Sequence, residues 1–330
     1  MSFDARILAE AFEQKAAERS LRETELDRMR ARVFREIPVL AKNEIRMRQT
    51  AAEAALAALS GGAGAEARIS ALREENLALQ SAEAKLLSGH GYPPDALHEK
   101  PGCRLCSDTG YDGAKVCGCV REIYARLQTR ELDKKLRFSE HCFEKFDLNE
   151  YSPVVDRRRK TSPRENMENI YLFCREYAET FSDASGNLAF FGGTGLGKTF
   201  LSACIVREVS RKGFYVVYSG AADMFSLLET EKFSRNAQAG SESRRFADCD
   251  LLVLDDLGTE MVTQFTVSAL YNIINSRIMD KKKTIISSNL SLDELRKSYS
   301  PQIMSRIEGE FRNFFFFGED VRVKRGKARE

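Results

Sequence analysis

Apolar residues recur at helical spacing through residues 1–88, in a background rich in Ala, Glu, Arg and Leu. That composition is typical of helices. Leu26, Met29 and Val33 fall on one helical face. Pro38 predicts the first turn of a second helix, and the glycine-rich run at 61–64 predicts a break after it. The pattern therefore predicts three successive helices in this part of the chain.

The third predicted helix has an apolar seam with alternating spacings of three and four, made by Ile69, Leu72, Asn76, Leu79, Glu83 and Leu86. If the seam is that of a coiled coil, leucine fills the d positions, but two of the three a positions are polar. A seam so short and half-filled does not secure a long coiled coil. Its narrow apolar face must still pair with something. Two interpretations remain open, an internal helical hairpin and a docking arm for a partner protein.

From residue 188 onward, five short apolar runs are separated by helical stretches. The runs lie at 188–191, 214–218, 251–254, 284–287 and 314–317. This β–α alternation predicts an α/β fold with a five-stranded parallel sheet and helices on both faces. The last run consists of consecutive phenylalanines, and we expect a strand buried on both faces there.

The composition limits the class of protein but does not change the predicted fold. The chain has 330 residues, 43% hydrophobic and 30% charged, with a formal net charge of +2. This length allows two domains. So small a net charge gives no strong electrostatic attraction to nucleic acid, and any such binding must come from local basic patches. We see no signal peptide and no run long enough to span a membrane, and we expect a cytoplasmic protein. Eight cysteines are then not expected to form a disulfide scaffold.

Four of the cysteines, Cys103, Cys106, Cys117 and Cys119, crowd into one segment that follows a linker rich in Gly and Pro. Two pairs on two tight turns can close a tetrahedron around Zn²⁺, and four thiolates leave no position open for catalysis. We therefore predict a structural zinc knuckle, with Gly110 and Gly113 in a small hairpin. An iron–sulfur cluster is an alternative, and His98 is a possible substitute ligand. The predicted domains are a helical region with linker at 1–100, the knuckle at 101–130 and the domain of the parallel sheet at 131–330.

The strongest chemical signal is a complete G-x-x-x-x-G-K-[ST] phosphate-binding loop between a predicted strand and a predicted helix. Its residues are Gly192, Gly193, Thr194, Gly195, Leu196, Gly197, Lys198 and Thr199. Glycines let the backbone N–H groups approach phosphate. The lysine can reach the β- and γ-phosphates, and the threonine hydroxyl can ligate Mg²⁺. The positive end of the following helix supports an anion at the same place.

Polar residues follow two of the later predicted strands. Asp255 and Asp256 end the run at 251–254, beside the expected position of the phosphate loop. Asp255 is predicted to hold Mg²⁺. Asp256 is predicted to orient or deprotonate the attacking water, but it is one methylene shorter than Glu, which predicts slow hydrolysis. Asn289 ends the run at 284–287 and is either a γ-phosphate contact or a turn-forming residue. Arg306 is either a solvated helix residue or a cation that reaches the γ-phosphate of a neighbouring subunit.

In this order, the phosphate loop, Leu-Asp-Asp-Leu-Gly, Ser-Ser-Asn and Ser-Arg-Ile resemble the AAA+ ATPases of the initiator and helicase-loader branch. The stretch from Phe143 to Leu148 and the final Phe-Gly-Glu-Asp-Val-Arg are similar to those of bacterial replicative-helicase loaders of the DnaC/DnaI type, within the IstB-like ATP-binding family. The resemblance covers about residues 138–324. It implies these roles: Lys198 and Thr199 in Walker A, Asp255 and Asp256 in Walker B, Asn289 as sensor 1, Arg306 as arginine finger, Arg322 as second sensor, and Phe143 and Phe146 near the adenine.

The resemblance also implies partners. Loaders of this type use ATP to bind single-stranded DNA and to open or hold a hexameric replicative helicase, which their N-terminal domain grips. They carry an extra helix after the second strand that follows single-stranded DNA. Here that segment offers Phe225, Lys232, Phe233 and Arg235 to bases and phosphates. The alternative is an ordinary amphipathic helix with its phenylalanines inward.

The chain ends soon after the fifth run, so we expect no full helical lid and an ATP pocket closed by a neighbouring subunit. Self-association and weak hydrolysis by the lone chain follow from that expectation. Two other functions stay open. One is a nucleotide-gated adaptor in which hydrolysis is incidental. The other is a transposase-helper ATPase of the IstB type, although those helpers usually lack a long helical region and a cysteine knuckle.

Overall fold

A computed structural model describes residues 2–61, 64–233 and 241–327. The chain divides into two compact units, Phe12–Cys117, and Met1–Ala11 together with Gly118–Glu330. We call them the helical unit and the sheet unit. In the part of the chain that is described, no helix is long and apolar enough to cross a membrane. The three predicted domains, with their boundaries at 100/101 and 130/131, stay a prediction.

Three helices make up most of the helical unit, and they are α1 (Ala5–Glu36), α2 (Pro38–Ser60) and α3 (Ala65–Gly89). Pro38 occupies the first turn of α2, as predicted. The ends of these helices share a small core made of Val33, Ile37, Leu40, Leu87 and Leu97.

Helices α2 and α3 pack against each other as a hairpin. The Asn76 side chain donates hydrogen bonds to the Met47 carbonyl oxygen at 3.1 Å and to Thr50 Oγ1 at 2.8 Å. Arg46 Nε lies 2.6 Å from Glu75 Oε1. The internal hairpin is thus present, and Asn76, one of the two polar residues of the predicted seam, bonds within it. A docking role for this unit stays a prediction.

The cysteine-rich segment contains a small antiparallel hairpin of β1 (Tyr111–Asp112) and β2 (Lys115–Val116). Gly110 and Gly113 have φ values of 82° and 58°, which a residue with a side chain rarely adopts. This confirms the predicted hairpin with its glycine turns. Two strands of two residues each cannot bury a core of their own.

The sheet unit is built on five parallel strands in the order β4-β5-β6-β3-β7. The strands are β3 (Asn187–Phe191), β4 (Val216–Gly220), β5 (Leu251–Asp255), β6 (Lys283–Ser288) and β7 (Phe311–Phe315). The helices of this unit are α4 (Gly118–Leu136), α5 (Pro163–Thr180), α6 (Lys198–Arg211), α7 (Ala221–Phe233), α8 (Ser241–Asp248), α9 (Gln264–Met279), α10 (Leu292–Ser298), α11 (Pro301–Glu310) and α12 (Val321–Lys327).

Two apolar clusters cover the two faces of the sheet. One includes Met167 of α5 and Leu201 of α6, and the other includes Met224 of α7 and Leu270 of α9. β5 is buried along its whole length. The predicted α/β architecture with helices on both faces is confirmed. The predicted runs at 214–218 and 314–317 mark the right strands but miss their bounds.

The prediction for the phenylalanine run is wrong. Among the described residues, β7 is an edge strand that pairs only with β3, and Phe315 keeps 45% of its surface exposed. The rings alternate between two sides, because Phe314 packs on Phe190 at 5.9 Å between ring centroids while Phe315 stacks on Phe191 at 5.8 Å. An edge strand has no second neighbour to cover it, so a continuous apolar run does not imply complete burial.

The first residues of the chain belong to the sheet unit. The Ser2 amide lies 3.2 Å from both carboxylate oxygens of the buried Asp250. The Asp4 amide donates to the Tyr124 hydroxyl at 3.0 Å, and Lys282 Nζ donates to Ser2 Oγ at 2.8 Å. This segment is therefore hydrogen-bonded to α4 and to the loops that precede β5 and β6.

Candidate nucleotide and metal sites

The phosphate loop leaves β3 after Phe191 and enters α6 at Lys198. Gly192 has a φ of 148°, and a Cβ there would lie 2.2 Å from the Phe316 carbonyl oxygen. Gly197 has a φ of 95°, and a Cβ there would lie 2.7 Å from the Tyr151 hydroxyl. Glycine is therefore required at both positions, and the loop has the strand–loop–helix setting that phosphate binding needs.

Lys198 is buried at the centre of this site. Its Nζ donates three hydrogen bonds, to the Gly192 carbonyl oxygen at 2.6 Å, the Gly193 carbonyl oxygen at 2.7 Å and Asn289 Oδ1 at 2.7 Å. Burial lowers the pKa of Lys198, although the nearby Asp256 and Asp255 oppose this effect. A buried ammonium group with only neutral direct partners favours an incoming anion such as phosphate.

Asp255 ends β5 beside the loop and is buried. Its Oδ2 accepts a hydrogen bond from Thr199 Oγ1 at 3.0 Å and another from the Tyr218 hydroxyl, while its Oδ1 accepts one from Ser287 Oγ. A carboxylate and a hydroxyl this close present the hard oxygen ligands that Mg²⁺ prefers. The residues present therefore fit a magnesium ion bound together with phosphate.

Asp256 follows with a φ of 56° and lines the cavity beside Asn289. Its amide donates to Ser287 Oγ at 3.0 Å, and its Oδ1 accepts from Asn289 Nδ2 at 2.9 Å. Burial, and next the charge of Asp255, raise the pKa of the Asp256 carboxyl group. The strand ends thus bring Lys198, Asn289 and Asp256 into one continuous hydrogen-bonded chain.

A cavity of about 380 Å³ opens over this chain. Phe146, Tyr151 and Phe200 line it together with the loop residues, and Phe146 stacks on Tyr151 with 5.8 Å between ring centroids. These aromatic surfaces suit a flat base. Phe143 is different, because it is buried against Tyr171 and does not line the cavity. Phe143 is thus a core residue, and its expected place near the adenine stays a prediction.

The two candidate arginines lie in different places. Arg322, at the start of α12, lines the cavity with Lys198 and Asp256. Arg306 lies on α11 and does not line it. Its guanidinium donates to Asn275 Oδ1 at 2.8 Å and to the Tyr271 hydroxyl at 3.0 Å, and lies over the Tyr271 ring at 4.6 Å.

The candidate DNA-binding residues also lie in different environments. Phe225 is only 4% exposed and packs in the core of the sheet unit, so its predicted contact with bases is wrong in this structure. Helical periodicity turns it toward the sheet with Met224 and Leu228. Phe233 is 72% exposed, and Lys232 Nζ lies 5.0 Å from the Phe265 ring centroid. Arg235 lies outside the described residues.

The four cysteines form a compact cluster with all sulfur atoms within 4.8 Å of one another. Cys103 Sγ and Cys117 Sγ are 3.8 Å apart, and zinc bound to tetrahedral sulfur at about 2.3 Å needs an edge of about 3.8 Å. The Cys106 backbone N–H and next its side chain lower the pKa of Cys103 to about 7, which favours the thiolate. The donor set therefore fits zinc. His98 is directed elsewhere, with Nε2 3.1 Å from Glu83 Oε1.

Asp108 holds the loop that carries two of these cysteines. It is buried, and accepts hydrogen bonds from the Gly102 amide at 2.7 Å and the Cys103 amide at 3.0 Å. Lys15 Nζ at 2.8 Å and Arg22 Nη2 at 2.7 Å reach its two carboxylate oxygens from α1. Burial alone would raise the pKa of Asp108, but these hydrogen bonds hold it well below its ordinary value.

Sequence reasoning missed several residues of both sites. Ser287 could have been identified from the sequence, because it belongs to the Ser-Ser-Asn stretch that ends a strand. Tyr218 carried a weaker signal: it has a polar hydroxyl and ends the apolar run at 214–218, which forms the strand beside β5. Nothing in the sequence signalled that Asp108 pairs with two cations of α1.

The parallel sheet, the loop between β3 and α6, and the acidic end of β5 define a P-loop nucleotide-binding protein. The sequence profile of the family "IstB-like ATP binding protein" matches residues 121–306, more than half of the chain, and the chain belongs to this family. The predicted resemblance is confirmed at this level.

Similar proteins carry names from DNA replication and from phage-like elements. The replicative helicase loader DnaC of Escherichia coli (strain K12) is 27% identical over 145 residues, 43% of this chain and 58% of that protein. The phage-like element PBSX protein XkdC of Bacillus subtilis (strain 168) is 24% identical over 223 residues, 62% of this chain and 77% of that protein. The chain thus matches little more than half of the length of the DnaC relative.

Solved structures of the DnaC helicase loader and of DnaI are also similar. The first has a TM-score of 0.43 and 21% identity, covering 53% of this chain and 98% of that one. The second has a TM-score of 0.45 and 20% identity, covering 57% of this chain and 93% of that one.

Proposed function

We propose that this protein is an ATPase that loads a hexameric replicative helicase onto single-stranded DNA. One observation carries the enzymatic part, the hydrogen-bonded chain of Lys198, Asn289 and Asp256 beside the Thr199–Asp255 pair. The 27% identity to a replicative helicase loader supports the biological part.

The proposed chemistry assigns a task to each group. Lys198 exchanges its loop carbonyl partners for the β- and γ-phosphate oxygens. Asp256 accepts the proton of the attacking water as a bond forms between the water oxygen and the γ-phosphorus, and the bridging bond to the β-phosphate oxygen breaks to leave ADP and phosphate. Magnesium, when bound, would neutralise phosphate charge, held by Thr199 and Asp255.

Arg306 is proposed to act on the nucleotide of a neighbouring copy. It lies outside the cavity of its own chain, and its guanidinium is already oriented by Tyr271 and Asn275. Self-association would then complete the site, and hydrolysis by a lone chain would be weak.

The helical unit is proposed to grip the helicase, and the end of α7 to contact single-stranded DNA. The exposed Phe233 and Lys232 offer an aromatic face and a cation, which together suit bases and phosphates. Phe225 has no part in this proposal.

Zinc in the four-cysteine cluster is proposed to be structural. When bound, zinc would supply folding energy to a segment whose only sheet is a hairpin of two-residue strands. The four thiolates would hold it, and Asp108 would fix the loop that carries Cys103 and Cys106.

Calorimetry on the intact chain tests the first step. We expect one binding event for a slowly hydrolysed ATP analogue that is tightened by Mg²⁺. Absence of any magnesium-dependent binding would overturn the ATPase proposal. Co-purification with the hexameric helicase of the same cell tests the partner, and failure to recover it would overturn the loader role.

A nucleotide-gated adaptor is the second candidate, favoured by the short Asp256 side chain at the catalytic position. Asp256→Asn should keep ATP binding and slow hydrolysis by about 100-fold, whereas Lys198→Ala should lose both. If Asp256→Asn still loads helicase at the wild-type rate, turnover is incidental and the adaptor role is correct.

Mixing two inactive variants tests the shared site. Lys198→Ala lacks a phosphate ligand, and Arg306→Ala lacks the proposed finger, so each alone should be inactive. A mixture can pair an intact loop with an intact arginine from its neighbour, and we expect part of the activity to return. Arg296→Ala, which removes a surface arginine paired with Glu308, is the control. A mixture as inactive as its components would exclude the shared site.

A further inference from the structure

Tyr218 links the nucleotide site to the helix that follows β4. It lies in the middle of β4, opposite Val253 in the register with β5, and Gly220 lies opposite Asp255. Helix α7 begins at Ala221, directly after the strand. A displacement of the start of α7 must therefore act on the end of β4 without a loop to absorb it.

The Tyr218 hydroxyl is one of three donors to the Asp255 carboxylate. It shares Oδ2 with Thr199 Oγ1, and Ser287 Oγ donates to Oδ1. Thr199 comes from the phosphate loop and Ser287 from β6, so both belong to the strands and loop around the nucleotide. Tyr218 alone among the three comes from the strand that continues into α7.

Tyr218 also borders the space between α7 and α8. A cavity of about 280 Å³ is lined there by Tyr218, by Ser226 and Leu227 of α7 and by Arg245 and Phe246 of α8. The Tyr218 side chain is half-buried, and its hydroxyl donates to Asp255. Tyr218 thus contacts the proposed magnesium ligand and also lines the α7–α8 cavity.

We propose that Tyr218 is a positioning residue that orients Asp255 for magnesium and makes that orientation depend on the packing of α7 and α8. This inference rests on the proposed ATP and magnesium binding. A carboxylate with donors on both oxygens has a fixed rotation. Loss of the Tyr218 donor leaves Oδ2 with Thr199 alone, and that hydroxyl is itself needed for the ion.

Tyr218→Phe in the full chain tests the positioning role. We measure the binding of a fluorescent, slowly hydrolysed ATP analogue as a function of magnesium concentration. The magnesium concentration at half-maximal binding should rise about tenfold, the lower end of the range for one lost hydrogen bond to a charged group. Binding without magnesium and the melting temperature should stay at wild-type values.

Tyr215→Phe is the matched control, because its hydroxyl faces Asp4 Oδ2 at 3.4 Å and not the nucleotide site. It should keep the wild-type magnesium midpoint. If Tyr218→Phe also keeps it, Tyr218 does not position Asp255. If the wild-type chain itself binds no nucleotide, the proposed function fails, which is a distinguishable result.

Filling the cavity tests the dependence on α7. Ser226→Leu places a larger side chain at the cavity that Ser226 and Tyr218 both line, and we expect it to shift the magnesium midpoint by about twofold to threefold. The shift should vanish when Ser226→Leu is combined with Tyr218→Phe. An equal shift in both backgrounds would exclude coupling through Tyr218, whatever the single Tyr218 variant shows.

Discussion

The nucleotide cavity and the cysteine cluster are polar sites that the chain builds in opposite ways. In the cavity, Lys198 Nζ and Asn289 Oδ1 are 2.7 Å apart although 91 residues separate them in sequence. The register of parallel strands brings them together, above a large apolar core. The cysteines are close in sequence, and their loops depend on Asp108 and on a two-strand hairpin.

This difference teaches where the folding energy of each site comes from. The strand ends of the cavity are fixed by the sheet, so the site should persist without its ligand. The knuckle has almost no apolar core, so we expect the bound zinc ion to supply much of its folding free energy. Substitutions that remove one ligand group from each site should therefore have unequal effects on stability.

Loss of a thiolate should have the largest effect. Cys106→Ser removes a buried member of the cluster, and we expect less than about half a zinc ion per chain, with a lower melting temperature for the helical unit, because metal binding is folding energy at such sites. Elemental analysis and thermal unfolding measure both.

Cys174→Ala is the matched control, since Cys174 is buried in the sheet unit away from the cluster. The Cys174→Ala protein should contain as much zinc as the wild type. A Cys106→Ser protein with full zinc content and unchanged unfolding would remove the contrast between the two sites.

Loss of the phosphate-loop cation should come next. Lys198→Ala should weaken binding of the ATP analogue by at least about 100-fold, because a buried charge facing phosphate is lost. The melting temperature without nucleotide should not fall, since the variant also removes a buried cation whose pKa is already lowered by burial. Lys160→Ala, at an exposed loop position, serves as the control. A fold lost together with nucleotide binding would show that this site also depends on its polar groups for stability.

Loss of the Asp108 charge should have the smallest of the three effects. Asp108→Asn keeps the four thiolates but weakens the ion pairs with Lys15 and Arg22. We expect zinc affinity to fall about tenfold, the usual size for a residue that orients a metal ligand. Competition with a chelator measures it, with the exposed Asp112→Asn in the same hairpin as the control. An affinity equal to wild type would mean that the loop orients itself.

The features of the fold and of the site that could be predicted from the sequence were those with a local sequence signal. Pro38 marked a helix start, the glycine pattern marked the phosphate loop, and apolar runs marked all five parallel strands, because each signal lies within a few residues. The predictions that failed concern residues whose surroundings come from distant parts of the chain. Phe225 faces the core because the sheet lies beside α7, and the phenylalanine run is half-exposed because β7 has no outer neighbour. The Tyr218–Asp255 contact needed the strand order.

The first residues of the chain bear on how the sheet unit can be studied alone. A fragment starting at residue 118 would lack Ser2 and Asp4, and so would expose Tyr124 and leave Asp250 with fewer donors. Asp250 also accepts from the Tyr215 amide at 3.1 Å, where the chain enters β4. Truncation at the apparent domain boundary would therefore disturb the strand that carries Tyr218. Adding a peptide of residues 2–11 to such a fragment is the direct way to repair it.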